Sequence, residues 1–169
     1  MSLTLILTRH AKSDWNTKTP SDHTRPLNAR GRKSAEVLGD WIRVLPASLH
    51  PQQALSSSAV RTRETLTLMD LSLPETFSER LYLATPEVML RALQEAEAER
   101  VLMLGHNPGI AEFAHQLVDH APDHARFEDY PTGATTVIRF DISRWSELRF
   151  GTGSVLDFVV PRELLAEAV

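Results

Sequence analysis

The chain contains no cysteine. Disulfides, thiolate metal sites and cysteine nucleophiles are therefore excluded, and any covalent catalysis must use histidine, serine, threonine, lysine or a carboxylate. A basic excess is also lacking: 18 Lys and Arg stand against 22 Asp and Glu, a formal net charge of −4. Nucleic acid is not an expected partner, because no surplus of positive charge exists to neutralise its backbone. No apolar run approaches the roughly 20 residues needed to cross a bilayer. The first apolar stretch is short and has no basic residues ahead of it, so it reads as a strand and not a signal peptide. The expectation is a cytoplasmic protein with no membrane partner. Nucleotide machinery is missing as well. There is no glycine-rich loop ending in Lys-Ser or Lys-Thr, no dinucleotide fingerprint and no serine-nucleophile elbow.

What is present suits one globular domain over residues 1–169, with 42% hydrophobic and 24% charged residues. Short β-like runs alternate with longer helical ones, which predicts an α/β fold. Strands are expected over 3–8, 53–57, 76–80, 101–104, 135–140 and 154–160. The apolar runs Leu3–Leu7 and Val101–Leu104 read as buried strands of a parallel sheet. Helices are expected over about 29–44, where Ala35, Leu38, Trp41 and Ile42 recur at helical spacing, and over 59–69. Further helices begin at Pro86 and Pro161, and one runs from Pro108 at its first position, capped by Asn107, to about Val118. Residues 119–133 have no periodicity and read as a surface loop.

Three segments place a phosphate-suited side chain in the loop after a predicted strand. They are Arg9-His10, Ser57-Ser58-Ala59-Val60-Arg61 and Gly105-His106-Asn107-Pro108. In a parallel sheet such loops emerge at the same edge and can converge on a ligand. An arginine offers a planar fork of donors for a phosphoryl group, and a histidine can act as base, metal ligand or nucleophile. The second and third segments also open helices, whose free N–H groups favour an anion. Each residue has a plainer reading. Arg9-His10 can be a solvated pair ending a strand, His106 a satisfied core histidine, and Arg63 simple surface. Arg61 sits badly for the helix dipole, which makes a structural role less natural. His115, His120 and His124 match no compact ligand spacing, so no metal site is expected.

Taken together and in order, these residues resemble the histidine phosphatase superfamily, the phosphoglycerate mutase-like fold. The opening Arg9-His10-Ala11-Lys12-Ser13-Asp14-Trp15, the run Arg25-Pro26-Leu27-Asn28-Ala29-Arg30-Gly31 and Gly105-His106-Asn107-Pro108-Gly109 are most similar to the small SixA-type phosphohistidine phosphatases. The resemblance covers most of the chain. It implies a three-layer α/β/α sandwich with a mostly parallel central sheet. It further implies a metal-independent phosphatase with no cofactor, in which His10 is the nucleophile and Arg9, Arg61 and His106 hold the phosphoryl group. Glu79-Arg80-Leu81-Tyr82 matches the context of the family's proton donor, so Glu79 is the candidate for that role. Ser13, Asn16 and Asn107 are the implied substrate-binding positions. Ala11 stands where much of the superfamily has glycine, and Ser13, Trp15 and Asn16 also resemble the mutase opening. The implied partner is a protein carrying phosphohistidine. The alternatives are a phosphatase of small phosphate esters and a phosphate- or phosphoprotein-binding module that turns over poorly.

Overall fold

The structure is a computed structural model and describes residues 1–167. Its strands are β1 (Leu3–Arg9), β2 (Gln53–Ser57), β3 (Glu75–Ser78), β4 (Arg100–Gly105), β5 (Thr135–Phe140) and β6 (Ser154–Val159). Its α-helices are α1 (Ala29–Arg43), α2 (Val60–Met69), α3 (Pro86–Gln94), α4 (Gly109–Leu117) and α5 (Pro161–Glu167). The strands form one sheet in the order β3-β2-β4-β1-β5-β6. Strands β1 to β4 run parallel, and β5 is antiparallel to both its neighbours. This is the α/β fold that the alternation of elements predicts, with the mostly parallel sheet that the family resemblance implies.

Two hydrophobic clusters, one on each face, follow from the two-residue period of the central strands. Leu3, Leu5 and Leu7 of β1 join Val101 and Met103 of β4 in one cluster, with Phe113 and Leu117 of α4. Ile6 joins Leu102 and Leu104 in the other, with Leu38 and Ile42 of α1 and Leu66 and Met69 of α2. Helix α1 packs on α2 and α5, and α3 packs on α4. Helices thus cover both faces of the sheet, which is why β1 and β4 read as near-continuous apolar runs.

Several local expectations are corrected. The strand expected over 76–80 ends at Ser78, because residues 79–81 turn into a 3₁₀ helix that buries Leu81. Asn107 does not cap α4, and Pro108 stands at the cap rather than at the first helical position. The Asn107 side-chain amide instead donates to the backbone carbonyls of Asp129 and Tyr130. The segment 119–133 is not merely a surface loop. It carries fully buried Tyr130, whose hydroxyl donates to the Leu7 carbonyl at 2.6 Å, and buried Phe127 packed in the core. Those two rings tie the segment over the end of β1.

Asn28 caps α1, its side chain accepting from the Gly31 amide at 2.8 Å. The first turn of α1 lies hard against the strand-end loop, where a Cβ on Gly31 would fall 2.0 Å from the Lys12 carbonyl oxygen. Both contacting groups are backbone, so neither can swing aside. Gly31→Ala is expected to destabilise the fold by about 1–3 kcal/mol, as overpacking does. Urea unfolding checks this; an unchanged midpoint would mean that the loop after β1 yields freely.

Candidate active site

The register of the sheet builds the site. Arg9 at the end of β1 pairs with Gly105 at the end of β4, and the His10 amide donates to the Gly105 carbonyl. His10 and His106 therefore leave adjacent strands side by side, with ring centroids 5.2 Å apart. Ser57 ends the next strand, and Arg61 on the following helix is 2% exposed. The three loops converge on one cavity of about 390 Å³, lined by Arg9, His10, Lys12, Ser13, Trp15, Asp22, Arg25, Arg61, Leu83, His106, Asn107 and Thr132.

The hydrogen bonds fix how each ring can act. Nδ1 of His10 lies 2.7 Å from the Ala11 carbonyl oxygen. A carbonyl only accepts, so Nδ1 carries the proton and the lone pair resides on Nε2. The Ala11 amide in turn donates to Thr65 Oγ1 at 3.0 Å, which anchors the residue whose carbonyl orients the ring. His106 Nε2 lies 2.7 Å from Ser57 Oγ, which already accepts from the Ala59 amide. The Ser57 hydroxyl is then free to donate to Nε2, leaving an N–H on Nδ1 of His106.

Among the described residues, the buried side-chain polar atoms with no hydrogen-bond partner are Arg9 Nε, Arg61 Nε, His106 Nδ1 and Asn107 Oδ1. All four belong to residues lining this cavity. Buried polar groups are otherwise paired as a rule, so their gathering marks a site built to be completed by a ligand. Arginines outnumber carboxylates here: among the described residues, Arg9, Arg25 and Arg61 line the cavity together with the single acid Asp22. That balance suits a phosphoryl group.

Asp22 organises the cations. It pairs with Arg25 and with Arg61 Nη2 at 2.9 Å, its carbonyl accepts from Arg61 Nη1 at 2.7 Å, and the Tyr82 hydroxyl donates to its carboxylate. Burial alone would raise the Asp22 carboxyl, but the bonds from Tyr82, Arg25 and Arg61 hold it well below the usual carboxylate range. Asp22 is therefore a fixed anion. The Tyr82 ring also meets His106 edge-on at 5.4 Å.

The other expected positions divide. Ser13 lines the cavity and accepts from Arg25 Nε at 3.0 Å, and Asn107 lines it as well. Asn16 is exposed and does not line the cavity; its amide donates to Asp14 in a local turn. Glu79 is also exposed and outside the cavity, because the 3₁₀ turn points Leu81 into the core and brings Tyr82 to Asp22. Sequence reasoning did not single out Ser57, Asp22, Arg25 or Tyr82 as site residues, although Ser57, Arg25 and Tyr82 lay inside the quoted segments.

Residues 5–82 match the histidine phosphatase superfamily (branch 1). The match extends along the chain in an uncharacterised protein of Mycobacterium tuberculosis, 32% identical over 162 residues, covering 91% of this chain and 99% of that one. A Mycobacterium leprae protein is 30% identical over 163 residues, covering 91% and 99%. The chain belongs to the histidine phosphatase superfamily. Among solved structures, a putative phosphohistidine phosphatase SixA from Nakamurella multipartitia superposes with a TM-score of 0.82 at 27% identity, covering 95% of this chain and 97% of that one. The putative SixA of Agrobacterium tumefaciens shares the fold, with a TM-score of 0.73 at 23% identity and coverage of 94% and 98%. This protein is thus a phosphatase with the phosphoglycerate mutase-like fold. Among its described residues, no helix is long and apolar enough to cross a membrane.

Burial pushes both histidines of the phosphatase toward the neutral form. His10 lies well below the ordinary value of 6.5, through desolvation and the neighbouring His106, Arg9 and Arg61, against the opposing Ala11 bond. His106 is lowered to about 3 by desolvation and Arg61. Both rings charge near pH 6.5 when unfolded, so the unfolded chain binds more protons below that pH and stability falls as pH drops. Imidazole ¹⁵N NMR at about pH 6.5 is expected to show His10 neutral with its proton on Nδ1. A charged ring, or a proton on Nε2, would contradict the geometry.

Proposed function

We propose that this phosphatase removes the phosphoryl group from phosphohistidine on a protein, with His10 as the nucleophile. The observation that carries the reading is the lack of a usable proton donor beside the leaving group. Among the described residues Asp22 is the one acid lining the cavity, and it is held ionised by its three side-chain partners. An alkoxide leaving group needs a proton in the transition state. An imidazole takes one from water on its free nitrogen near pH 6.5 and departs as a neutral ring.

In the first step the Nε2 lone pair of His10 attacks phosphorus, the P–N bond to the substrate imidazole breaks, and its electron pair returns to that ring. Arg9, Arg61 and the Nδ1–H of His106 bind the equatorial oxygens, where charge is spread in the transition state. Phosphorylated on Nε2 and still protonated on Nδ1, His10 is a cation whose N–H rests on the Ala11 carbonyl. Water then attacks phosphorus, the P–Nε2 bond breaks, and neutral His10 returns with inorganic phosphate. Neither step draws a proton from a side-chain acid. Trp15 and Leu83, 75% and 53% exposed, stand at the open mouth of the cavity and offer apolar surface to a protein substrate.

Turnover of a phosphohistidine peptide is expected to exceed that of an alkyl phosphate by about 100-fold or more, the scale of missing general-acid catalysis. Glu79→Gln should leave the peptide rate within about two-fold. Steady-state kinetics on both substrates check this. A preference for the alkyl ester that Glu79→Gln abolishes would replace the reading with a small-ester phosphatase using Glu79 as donor.

A further inference from the structure

Beside the catalytic cavity lies a second cleft of about 130 Å³, lined by Lys12, Arg30, Arg126 and Arg162 and, among the described residues, by no carboxylate. The two are contiguous, since Lys12 and Thr132 line both. Its cations come from four separate segments: the loop after β1, the first turn of α1, the segment 119–133 and the start of α5. On a chain of net charge −4 this cleft has the opposite sign to the molecule as a whole. Local potential of that kind steers an oppositely charged partner.

Intramolecular pairing accounts for one of these four charges only. Among the described residues, Lys12, Arg30 and Arg162 enter no ion pair, while Arg126 is paired with Asp129. Arg30 also stands in the first turn of α1, which has no acidic residue, so it opposes the helix dipole. Folding would favour a carboxylate at that position.

The shape of the cleft selects the ligand class. All four cations are exposed, in contrast to buried Arg61, so they are not fixed around one compact anion. Beneath them lie Val160, Pro161 and Leu165, an apolar floor. Exposed cations around an apolar lining fit a polypeptide that carries carboxylates beside an apolar residue. We propose that this cleft binds an acidic segment of the phosphorylated protein, adjoining the phosphohistidine held in the catalytic cavity. The proposal rests on the phosphohistidine reading and names what selects among such proteins.

The test pairs two phosphohistidine peptides, one with Asp and Glu flanks and one with Asn and Gln flanks, with p-nitrophenyl phosphate as a small ester. The enzymes are wild type and the double variant Arg30→Glu, Arg162→Glu, neither position lining the catalytic cavity. Arg30→Glu puts an anion on the first turn of α1, so the variant is expected to fold, and circular dichroism verifies it. Wild type should favour the acidic peptide in kcat/KM by about ten-fold or more at low salt, with the preference shrinking as salt rises. The double variant should lose the preference while keeping wild-type turnover of the small ester.

Equal kcat/KM for the two peptides in wild type would overturn the proposal, as would a preference that survives in the variant. If neither peptide is hydrolysed while the ester is, the phosphohistidine reading fails and the cleft is judged separately. Inhibition of ester turnover by the unphosphorylated acidic peptide, in wild type but not the variant, would then uphold the cleft, and no inhibition would overturn it. Stronger inhibition by pyrophosphate than by that peptide, lost in the same variant, would assign the cleft to a compact second anion and overturn the protein-segment assignment.

Discussion

A hydrogen bond from one ring nitrogen to one carbonyl governs how the site can work. With Nδ1–H of His10 committed to the Ala11 oxygen, the ring has one nitrogen left for chemistry, and burial among arginines keeps that nitrogen unprotonated. In the proposed mechanism the same bond serves the phosphorylated ring, whose positive charge it faces. Sheet register supplies the remaining constraint. Because Arg9 sits opposite Gly105, the second histidine arrives beside the first without any long loop to position it. Thr65 and Ser57 then hold the two rings from behind, one through the Ala11 amide and the other through His106 Nε2.

Clustering of buried arginines is costly unless each is paired. Asp22 answers that cost from the pocket wall, bridging Arg25 and Arg61 while Tyr82 closes the arrangement. A fixed anion at this place has two consequences. It holds Arg61 in position before substrate arrives, and it cannot serve as an acid. The site thereby gains preorganised charge, and under the proposed function it gives up reactions that require protonation of a poor leaving group.

Much of this was legible in the sequence, for reasons that can be traced to particular residues. Leu3–Leu7 and Val101–Leu104 carry the strand period, and the polar residues that follow them must emerge at the sheet edge, so Arg9, His10 and His106 could be grouped before any coordinates. Arg61 came from its poor fit to the helix dipole. Asp22 and Tyr82 could not be found that way. Their partners lie 39 and 60 residues away, and no local pattern encodes a contact of that range. Glu79 and Tyr82 share one motif, and only the 3₁₀ turn at 79–81 decides which of them reaches the pocket. The segment 119–133 looked like loop because two aromatic rings, Phe127 and Tyr130, anchor it without periodicity.

Rapid-quench trapping with a ³²P-labelled phosphohistidine peptide, on wild type and His10→Ala, tests the central claim most directly. The account predicts an alkali-stable, acid-labile label on Nε2 of His10 in the wild type and none in the variant. Label on Nδ1, label on another residue, or turnover that survives His10→Ala would contradict it.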